Sequence, residues 1–459
     1  MSVTGWIGDL GEELGLRDPV IRLGVTGLSR AGKTVFITSL VANLMDRGRM
    51  PQLLAAADGT IEAAWLQPQP DDTVARFAYE EHLARLTARD PSWPEGTRRI
   101  SQLRLSFRLA PRGLTGFLRG AGRLHLDIVD YPGEWLLDLA LMEKSFAEWS
   151  ADMLAHLPGR PGAQDYLAAL DAADPAAPFD PVAAEALARA WGAHLRAARE
   201  AGFSDCSPGR FLMPGDLEGS PALTFAPLPA SPGAGRRSLW RECERRYDAY
   251  RSRIVTPFFR DHFARIDRQI VLVDVLGALA RGPEAFDDLR RTMGALMSAF
   301  RPGRTAWLAR LLGMRRIEKV LLAATKADHL HHSQHPRLAA LAEALLREAK
   351  DRADFAGAHT SSMAIASLRT TVEDEITENG RTLPVVRGRL ASTGRQAAFH
   401  PGDLPEDPRI LLASPPAWST GDYAFADFAP APLTLRPGDG PPHIRLDRAA
   451  EFLIGDLLR

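Results

Sequence analysis

The sequence predicts an α/β fold whose mixed β-sheet has an antiparallel edge strand and is interrupted by a helical insertion domain. A short apolar strand at 21–26 runs through a glycine loop into an apolar helix. A segment of alternating polarity at 102–109 precedes an apolar segment at 124–130, which is typical of an antiparallel pair of strands. Apolar residues then recur at helical spacing between 138 and 268, before a further apolar strand at 269–273.

The composition excludes several classes of protein. With 459 residues the chain is too long for one compact core, and its 45% hydrophobic and 25% charged residues are ordinary for a folded protein. A formal net charge of -1 provides no positive field, so we expect no nucleic-acid partner. Two cysteines, Cys206 and Cys243, exclude a disulfide scaffold and favour a reducing compartment. The sequence has no apolar run of about 18 residues and no signal-peptide pattern, so we expect a cytoplasmic protein.

Residues 27–34 form the glycine loop, which reads GLSRAGKT and matches the pattern G-x-x-x-x-G-K-T. Its glycines let backbone N–H groups turn toward a phosphate, and the N-terminus of the following helix adds a favourable dipole. Lys33 is expected to neutralise β- and γ-phosphate oxygens, and the Thr34 hydroxyl to ligate Mg²⁺. The pattern predicts a P-loop NTPase fold. The predicted nucleotide-binding residues of this segment are Gly27, Ser29, Arg30, Ala31, Gly32, Lys33, Thr34 and Val35.

An aspartate follows the second strand of the antiparallel pair. Asp130 begins a D-x-x-G pattern that ends at Gly133, so its carboxylate is placed to hold Mg²⁺ and the Gly133 N–H to sense a γ-phosphate. A hairpin that leads into this pattern predicts a GTPase-like mixed sheet. The pattern recurs at Asp274, but we favour Asp130 because its strand closes the hairpin, and we expect Asp274 to end another parallel strand. Glu134 stands where many GTPases have a water-orienting glutamine, so we predict a catalytic role and slow turnover.

A third motif, T-K-x-D, follows another apolar strand and consists of Thr325, Lys326, an alanine and Asp328. The two carboxylate oxygens of Asp328 match the N1–H and 2-amino donors of guanine, whereas adenine offers no such pair. The stem of Lys326 is expected to lie over the plane of the base. Two further candidate contacts with guanine are the backbone groups at the end of a strand predicted at 362–366, Ala366 and Ser367.

Two catalytic features are less well defined by the sequence. Arg30 lies inside the glycine loop, which resembles that of the guanylate-binding proteins, where an arginine at this position acts as an internal arginine finger. Such a group stabilises charge on the transferring phosphoryl group, and the alternative is an exposed loop arginine. The threonine that completes the Mg²⁺ shell should lie between the first helix and the hairpin, where Thr60 and Thr73 are both candidates.

Four segments resemble the YcjX family of bacterial stress-associated P-loop GTP-binding proteins: 22–40, 127–139, 268–278 and 325–332. The resemblance implies a role in a bacterial envelope or stress response, a YcjF-like membrane protein as partner, and a position in the cytoplasm or peripheral to the inner membrane. With the motifs, it predicts Mg²⁺-dependent binding of GTP and slow hydrolysis to GDP and phosphate. Two alternatives stay open: an interaction module in which the nucleotide is structural and a membrane-associated partner docks without turnover, and an ATPase, against which Asp328 argues.

The motifs divide the chain into a core, an insertion and two ends. We predict an N-terminal helix at 1–17, a GTPase core at 18–137 and 269–390, a helical insertion domain at 138–268, and a Pro/Gly-rich segment with a terminal helix at 391–459. The second part of the core is expected to end in a hairpin around Asn379 and Gly380. The aromatic stripes of the insertion are predicted to form its core, with a partner-binding face as the alternative.

Two further segments have unusual side chains. Residues 301–319 combine six basic residues with apolar ones, which favours either contact with an anionic membrane or a core-facing helix with a charged rim. Four histidines follow Asp328 and offer nitrogen ligands to a transition metal, but apart from Asp328, which is assigned to guanine, no acid or cysteine joins them closely. We therefore favour hydrogen bonds to neighbouring backbone for His329, His331, His332 and His335.

Overall fold

The computed structural model describes residues 18–459 except 29, 70, 97–98, 112–121, 299–316, 346, 348–357, 379 and 414–415. The helix predicted at 1–17, most of the basic segment at 301–319, and Ser29 of the glycine loop lie outside the described residues. Within the described residues, no helix is long and apolar enough to cross a membrane.

An eight-stranded mixed sheet forms the centre of the molecule. Its path is β2-β4-β5-β1-β6-β7-β8, and β3 pairs with β4 beside this path. The strands are β1 (Val20–Gly27), β2 (Ile61–Gln67), β3 (Ala75–Arg76), β4 (Ser101–Leu109), β5 (Gly122–Asp130), β6 (Arg268–Val273), β7 (Lys319–Ala324) and β8 (His359–Ala364).

Five neighbouring strands, from β5 through β1 to β8, run parallel. Val25 of β1 pairs with Asp130, Gly27 pairs with Leu272 of β6, and Val273 pairs with Ala324 of β7. Because parallel strands in this register end at the same edge, the glycine loop, the D-x-x-G segment and the T-K-x-D motif all leave the sheet there. In open α/β sheets this carboxyl edge is the usual place for a ligand.

The antiparallel part of the sheet is larger than the sequence predicts. β4 pairs antiparallel with β5, as expected, but β2 adds to the outer side of β4 and becomes the edge strand. β2 satisfies the outer backbone groups of β4, which would otherwise be exposed at the edge. The sheet thus has an antiparallel edge strand, as the sequence predicts, but that strand is β2, and the predicted strand at 102–109 lies next to it. The sequence of β2, IEAAWLQ, does not predict a strand clearly, because polar and apolar residues alternate poorly in it and two of its residues are alanines, which are weak strand formers.

Helices cover both faces of the sheet. Among the described residues they are α1 (Lys33–Met45), α2 (Leu54–Ala57), α3 (Tyr79–Thr87), α4 (Gly133–Leu141), α5 (Phe146–Ala155), α6 (Ala163–Asp171), α7 (Pro181–Glu200), α8 (Gly209–Leu212), α9 (Leu239–Tyr250), α10 (Thr256–Asp261), α11 (Val275–Arg281), α12 (Pro283–Ser298), α13 (His335–Leu345), α14 (Arg409–Leu412) and α15 (Leu446–Ile454). A π-helical turn, Arg251–Val255, joins α9 to α10.

Two hydrophobic cores lie on the two faces of the sheet. Successive residues of β6 alternate between them: Ile270 and Leu272 contribute to the core beneath α1 and α15, and Val271 and Val273 contribute to the other. The second core continues into the segment 138–268. The face of the sheet and the helical insertion thus share one continuous apolar interior.

The aromatic stripes of the insertion lie inside this interior. Trp149, Trp191 and Tyr247 are buried, and the rings of Trp149 and Tyr247 stack with their centroids 5.1 Å apart. Trp191 meets Trp149 edge to face at 6.3 Å. Such pairs add roughly 0.5–1.5 kcal/mol beyond the burial of their area. The stripes therefore hold α5, α7 and α9 together.

A second, three-stranded antiparallel sheet follows β8. It consists of β9 (Thr371–Glu378), β10 (Arg381–Arg389) and β11 (Gln396–Phe399), in the order β11-β10-β9. The hairpin expected around 379–380 joins β9 to β10, with Arg381 paired to Glu378. The third strand, β11, was not predicted.

Candidate functional site

The glycine loop connects β1 to α1 with two residues in the left-handed conformation. Arg30 has φ 64° and Gly32, which caps α1, has φ 80°. Lys33 folds back over the loop, and its Nζ donates to the carbonyl oxygen of Gly27 at 3.0 Å. The first N–H groups of α1 lack partners within the helix and lie at the positive end of its dipole. This arrangement is suited to an anion such as a phosphate.

The D-x-x-G segment at 130–133 packs directly on the glycine loop. A Cβ on Gly133 would lie 2.1 Å from the carbonyl oxygen of Gly27, so the close approach requires glycine there. The second D-x-x-G pattern has a different function: the Asp274 carboxylate caps α11 by accepting from Gly277 N at 2.9 Å. Asp130 is thus linked to the glycine loop through its own Gly133, and Asp274 lines a cavity together with Leu28 and Arg30 of that loop.

Two oxygen-bearing side chains border the loop. Asp130 ends β5 and is 2% exposed, and Thr34, in the first turn of α1, is 7% exposed. The Thr34 hydroxyl donates to the carbonyl oxygen of Glu95 at 3.3 Å. The chain before β4 therefore reaches the phosphate end of the site. Carboxylate and hydroxyl oxygens are suitable ligands for Mg²⁺.

The two candidates for the threonine of the Mg²⁺ shell, Thr60 and Thr73, each contact a nearby aspartate. Thr60 donates to Asp58 and Thr73 donates to Asp71, each at 2.5 Å, so both hydroxyls stabilise local turns before β2 and β3. The contact of Glu95 with Thr34 instead points to the segment immediately before β4. This segment lies within the stretch that the sequence predicts, between the first helix and the hairpin, but the contact is made by a backbone carbonyl, which no residue type marks in a sequence.

The Lys326 ammonium is bound to a neighbouring strand end. Lys326 has φ 61°, and its Nζ donates to the Asp274 carboxylate at 2.7 Å. Burial alone would raise the pKa of Asp274, but the charge and hydrogen bond of Lys326 outweigh it and lower that pKa below its usual value. Thr325 N donates to the Val273 carbonyl at 3.0 Å, which fixes the start of the motif against β6.

Asp328 is buried, and its orientation is set from outside the motif. Its Oδ2 accepts from the backbone N and the hydroxyl of Thr370, at 2.9 and 2.7 Å. The hydroxyl of Thr371 donates to the Asp328 carbonyl. These bonds hold the carboxylate in one plane at the carboxyl edge of the sheet. Sequence reasoning missed Thr370 because 42 positions separate it from Asp328 and no local pattern links them.

The strand predicted at 362–366 is displaced. β8 begins at His359 and ends at Ala364, so Ala366 and Ser367 lie beyond it. Ala366 forms an isolated bridge with Ile444: its N–H donates to the Ile444 carbonyl at 3.0 Å. The chain after β8 pairs with 444 rather than extending the strand, and the Ala366 N–H is already used. Ser367 is buried next to it.

Glu134 points toward the insertion. It is 3% exposed, and its Oε1 lies 3.0 Å from Nη2 of Arg199, in the last turn of α7. Arg30 and Arg281 line the same cavity as this ion pair. Arg199 neutralises the carboxylate that sequence reasoning placed beside a phosphate. It was missed because 65 positions separate it from Glu134 and its helix carries no motif.

The helix that follows D-x-x-G is anchored to the insertion along its length. A Cβ on Gly209 would lie 2.2 Å from the Glu134 carbonyl oxygen, and the Arg210 guanidinium lies 3.3 Å from the centroid of the Trp135 ring. Asp138 accepts from Gly209 N at 2.8 Å and from the Tyr250 hydroxyl. Motion of α4 would therefore be transmitted to α7, α8 and α9.

The sheet order, the loop after β1 and the acidic residues at the strand ends agree with the Ras-like GTPase fold. A family model described as "YcjX-like family, DUF463" matches residues 21–458. The chain belongs to this family, which confirms the resemblance seen in the sequence.

Two curated relatives extend the comparison. The chain is 37% identical to the "Ras-like GTPase YcjX" of Escherichia coli K12, over 96% of this chain and 97% of the relative. It is 34% identical to the "Ras-like GTPase YcjX" of Shewanella oneidensis, over 96% of this chain and 95% of the relative.

Proposed function

We propose that the protein binds GTP with Mg²⁺, hydrolyses it slowly to GDP and phosphate, and acts as a switch in a bacterial envelope or stress response. The observation that carries the proposal is the contact of Gly133 with Gly27, which joins the D-x-x-G segment to the glycine loop. The relatives' names, which describe Ras-like GTPases, support a guanine nucleotide as the ligand.

The glycine loop would hold the phosphates. The hydrogen bond to the Gly27 carbonyl already holds the Lys33 ammonium over the loop. A phosphate oxygen would compete with this carbonyl for the ammonium. Thr34 and Asp130 would hold Mg²⁺, which when bound neutralises charge on the β- and γ-phosphates. Because Thr34 contacts Glu95, entry of the cation would change the segment before β4.

Asp328 would select guanine. Thr370 holds Oδ2, and hydrogen-bonded carboxylates of fixed orientation discriminate well between donor patterns. Lys326 would have to weaken its hydrogen bond to Asp274 in order to lie over the base. Thr325 and Ser367 would contribute to the pocket for the base, whereas the Ala366 N–H already donates to the Ile444 carbonyl.

Hydrolysis would depend on charge stabilisation by Arg30 rather than on Glu134 acting as a free base. The Glu134 carboxylate is paired with Arg199, so we expect it to orient water weakly and turnover to be slow. No covalent intermediate is needed, because positioning and electrostatic stabilisation suffice for phosphoryl transfer to water.

Titration with GDP, GTP, ADP and ATP in the presence of Mg²⁺, followed by phosphate release, tests this proposal. We expect selective binding of guanine nucleotides and slow release. The Asp328→Asn variant should bind GDP more weakly and accept xanthine nucleotides, whereas the exposed control Asp407→Asn should behave as wild type. Equal affinity for ATP and GTP, or full GDP affinity in Asp328→Asn, would contradict the assignment of the base.

The second candidate function is a nucleotide-stabilised interaction module. The observation that favours it is the anchoring of α4 on the insertion, which allows a bound nucleotide to set the position of α7–α9 without turnover. Its partner would be a membrane-associated protein of the YcjF type. Binding of guanine nucleotide without phosphate release would favour this module.

A further inference from the structure

The four histidines after Asp328 divide into two pairs with different surroundings. His329 is buried and packs edge to face on Phe428, with ring centroids 5.2 Å apart. The Nε2 of His335 lies 2.8 Å from the Ala327 carbonyl oxygen, so this imidazole stabilises the loop through backbone. His335 agrees with the interpretation favoured by the sequence, and so does the Nδ1 of His331, which accepts from the backbone N–H of Ser333 at 3.4 Å. The Nε2 of His331 and the ring of His332 have a different environment.

His331 and His332 face a carboxylate that the sequence does not place near them. The Nδ1 of His332 lies 2.7 Å from Oε2 of Glu373 in β9, and the Nε2 of His331 lies 3.8 Å from the same oxygen. All three ligand atoms lie within 4.8 Å of one another. The fold thus supplies the acid whose absence argued against a metal site.

The separations are close to those of a metal site. Zinc binds imidazole nitrogen and carboxylate oxygen at about 2.0–2.2 Å in a tetrahedron, which puts ligand atoms roughly 3.4 Å apart. The His332–Glu373 separation of 2.7 Å would lengthen by about 0.7 Å, and the His331–Glu373 separation of 3.8 Å would shorten by about 0.4 Å. The side chain of His332 is 68% exposed, so its ring can turn without disturbing the core.

We propose that His331, His332 and Glu373 bind one divalent transition-metal cation of the zinc class, with water completing the coordination. Two imidazoles and one carboxylate suit Zn²⁺ and its neighbours, whereas Mg²⁺ and Ca²⁺ prefer oxygen ligands. The site is therefore chemically distinct from the oxygen site of Thr34 and Asp130. It does not depend on the proposed GTP hydrolysis.

An ordinary surface hydrogen bond explains less of the geometry. A bond from His332 to Glu373 needs one imidazole, yet the Nε2 of His331 converges on the same Oε2, and the rings of His331 and His332 lie 4.2 Å apart. Arg369 approaches the other carboxylate oxygen of Glu373, Oε1, at 3.9 Å. Arg369 therefore does not occupy Oε2, which both imidazoles approach.

The position of the site gives the cation a structural consequence. His331 and His332 lie three and four positions after Asp328, and Glu373 lies two positions after Thr371, which with Thr370 holds Asp328. A cation at this point would join β9 to the loop of Asp328 by a second connection. Occupancy should therefore stabilise the contact between the two sheets.

The test is a calorimetric titration of the full chain, without an affinity tag and freed of metal, with Zn²⁺ alone. We expect one strong site in wild type and in the control His156→Ala. This control removes the exposed histidine that follows α5 as its C-terminal cap. In the double variant His332→Ala, Glu373→Gln the affinity should fall at least about tenfold. Failure of wild type to bind one equivalent, or unchanged affinity in the double variant, would overturn the proposal.

A measurement of thermal unfolding shows whether the double variant is folded, so that a lost metal site is not confused with a folding defect. Zn²⁺ should raise the Tm of wild type and of His156→Ala, because a ligand that binds the folded state stabilises it. The double variant should unfold cooperatively with no Zn²⁺-dependent rise. An equal rise in all three proteins would place the cation elsewhere and refute this site.

Discussion

At the scale of single residues, Asp328 owes its geometry to Thr370. Two hydrogen bonds from Thr370 reach the same carboxylate oxygen of Asp328, and both residues are buried. A carboxylate fixed in this way loses little orientational freedom when a ligand binds. If Asp328 binds the base as proposed, Thr370 is a positioning residue for that pocket, although it has no motif of its own.

Replacing Thr370 by valine should weaken the binding of GDP by roughly fivefold to tenfold, because a net hydrogen bond contributes about 1 kcal/mol. The backbone bond from residue 370 remains, so selectivity over ADP should decrease without vanishing. Fluorescence titration with labelled GDP measures both affinities. The matched control is Thr377→Val, an exposed position of β9, which begins directly after Thr370, and equal loss in both variants would contradict the role of Thr370.

Arg30 allows a second prediction at this scale. If the guanidinium stabilises charge only during phosphoryl transfer, Arg30→Ala should lower turnover by roughly 10³-fold with a much smaller effect on the affinity for GTP. Single-turnover phosphate release and equilibrium titration separate the two quantities. Equal losses in rate and affinity would show that Arg30 contributes to binding alone.

At the scale of elements, α4 connects the site to the insertion through buried polar groups. Burial raises the pKa of Asp138 to about 7, against the opposite effect of its hydrogen bonds from Tyr250 and Gly209. In the unfolded chain an aspartate has a pKa of about 3.9. The folded state therefore binds more protons than the unfolded state between these two values.

The sign of the pH dependence follows from this difference. The contribution of Asp138 to the free energy of unfolding should fall as pH rises from about 4 to 7, by at most about 1.4 kcal/mol per pH unit, and become constant above pH 8. Asp138→Asn removes this titration. Urea unfolding of both proteins between pH 5 and 8 measures the difference, and parallel pH profiles would disprove the shift.

The elements also show which features a sequence can predict. The glycine loop, D-x-x-G and T-K-x-D each lie within eight residues, and local order alone identified them. The partners Thr370, Arg199, Glu95 and Glu373 belong to other elements, so only the packed fold brings them to the site. The edge strand β2 was missed for a different reason. Its residues are consecutive in the sequence, but they give only a weak alternation of polar and apolar side chains.

At the scale of the whole molecule, the continuous apolar core couples the sheet to the insertion. Because α4 follows the D-x-x-G segment and is held by α7–α9, replacing GDP by a non-hydrolysable GTP analogue should change amide hydrogen exchange in 181–212 as well as in the segment before β4. Strand β10 serves as the internal reference. A change confined to the segment before β4 would show that the insertion does not respond to nucleotide.

The helix α15 covers one face of the sheet, and its Leu453 carbonyl accepts from the buried Arg268 guanidinium at 3.2 Å. Asn43 of α1 likewise donates to the Pro441 carbonyl at 3.0 Å. Asn43 and Pro441 are 398 residues apart, so the two segments that close this face are synthesised roughly 20–80 s apart at about 5–20 residues per second. During that interval the apolar residues that α15 will cover are exposed on the nascent chain, which favours aggregation.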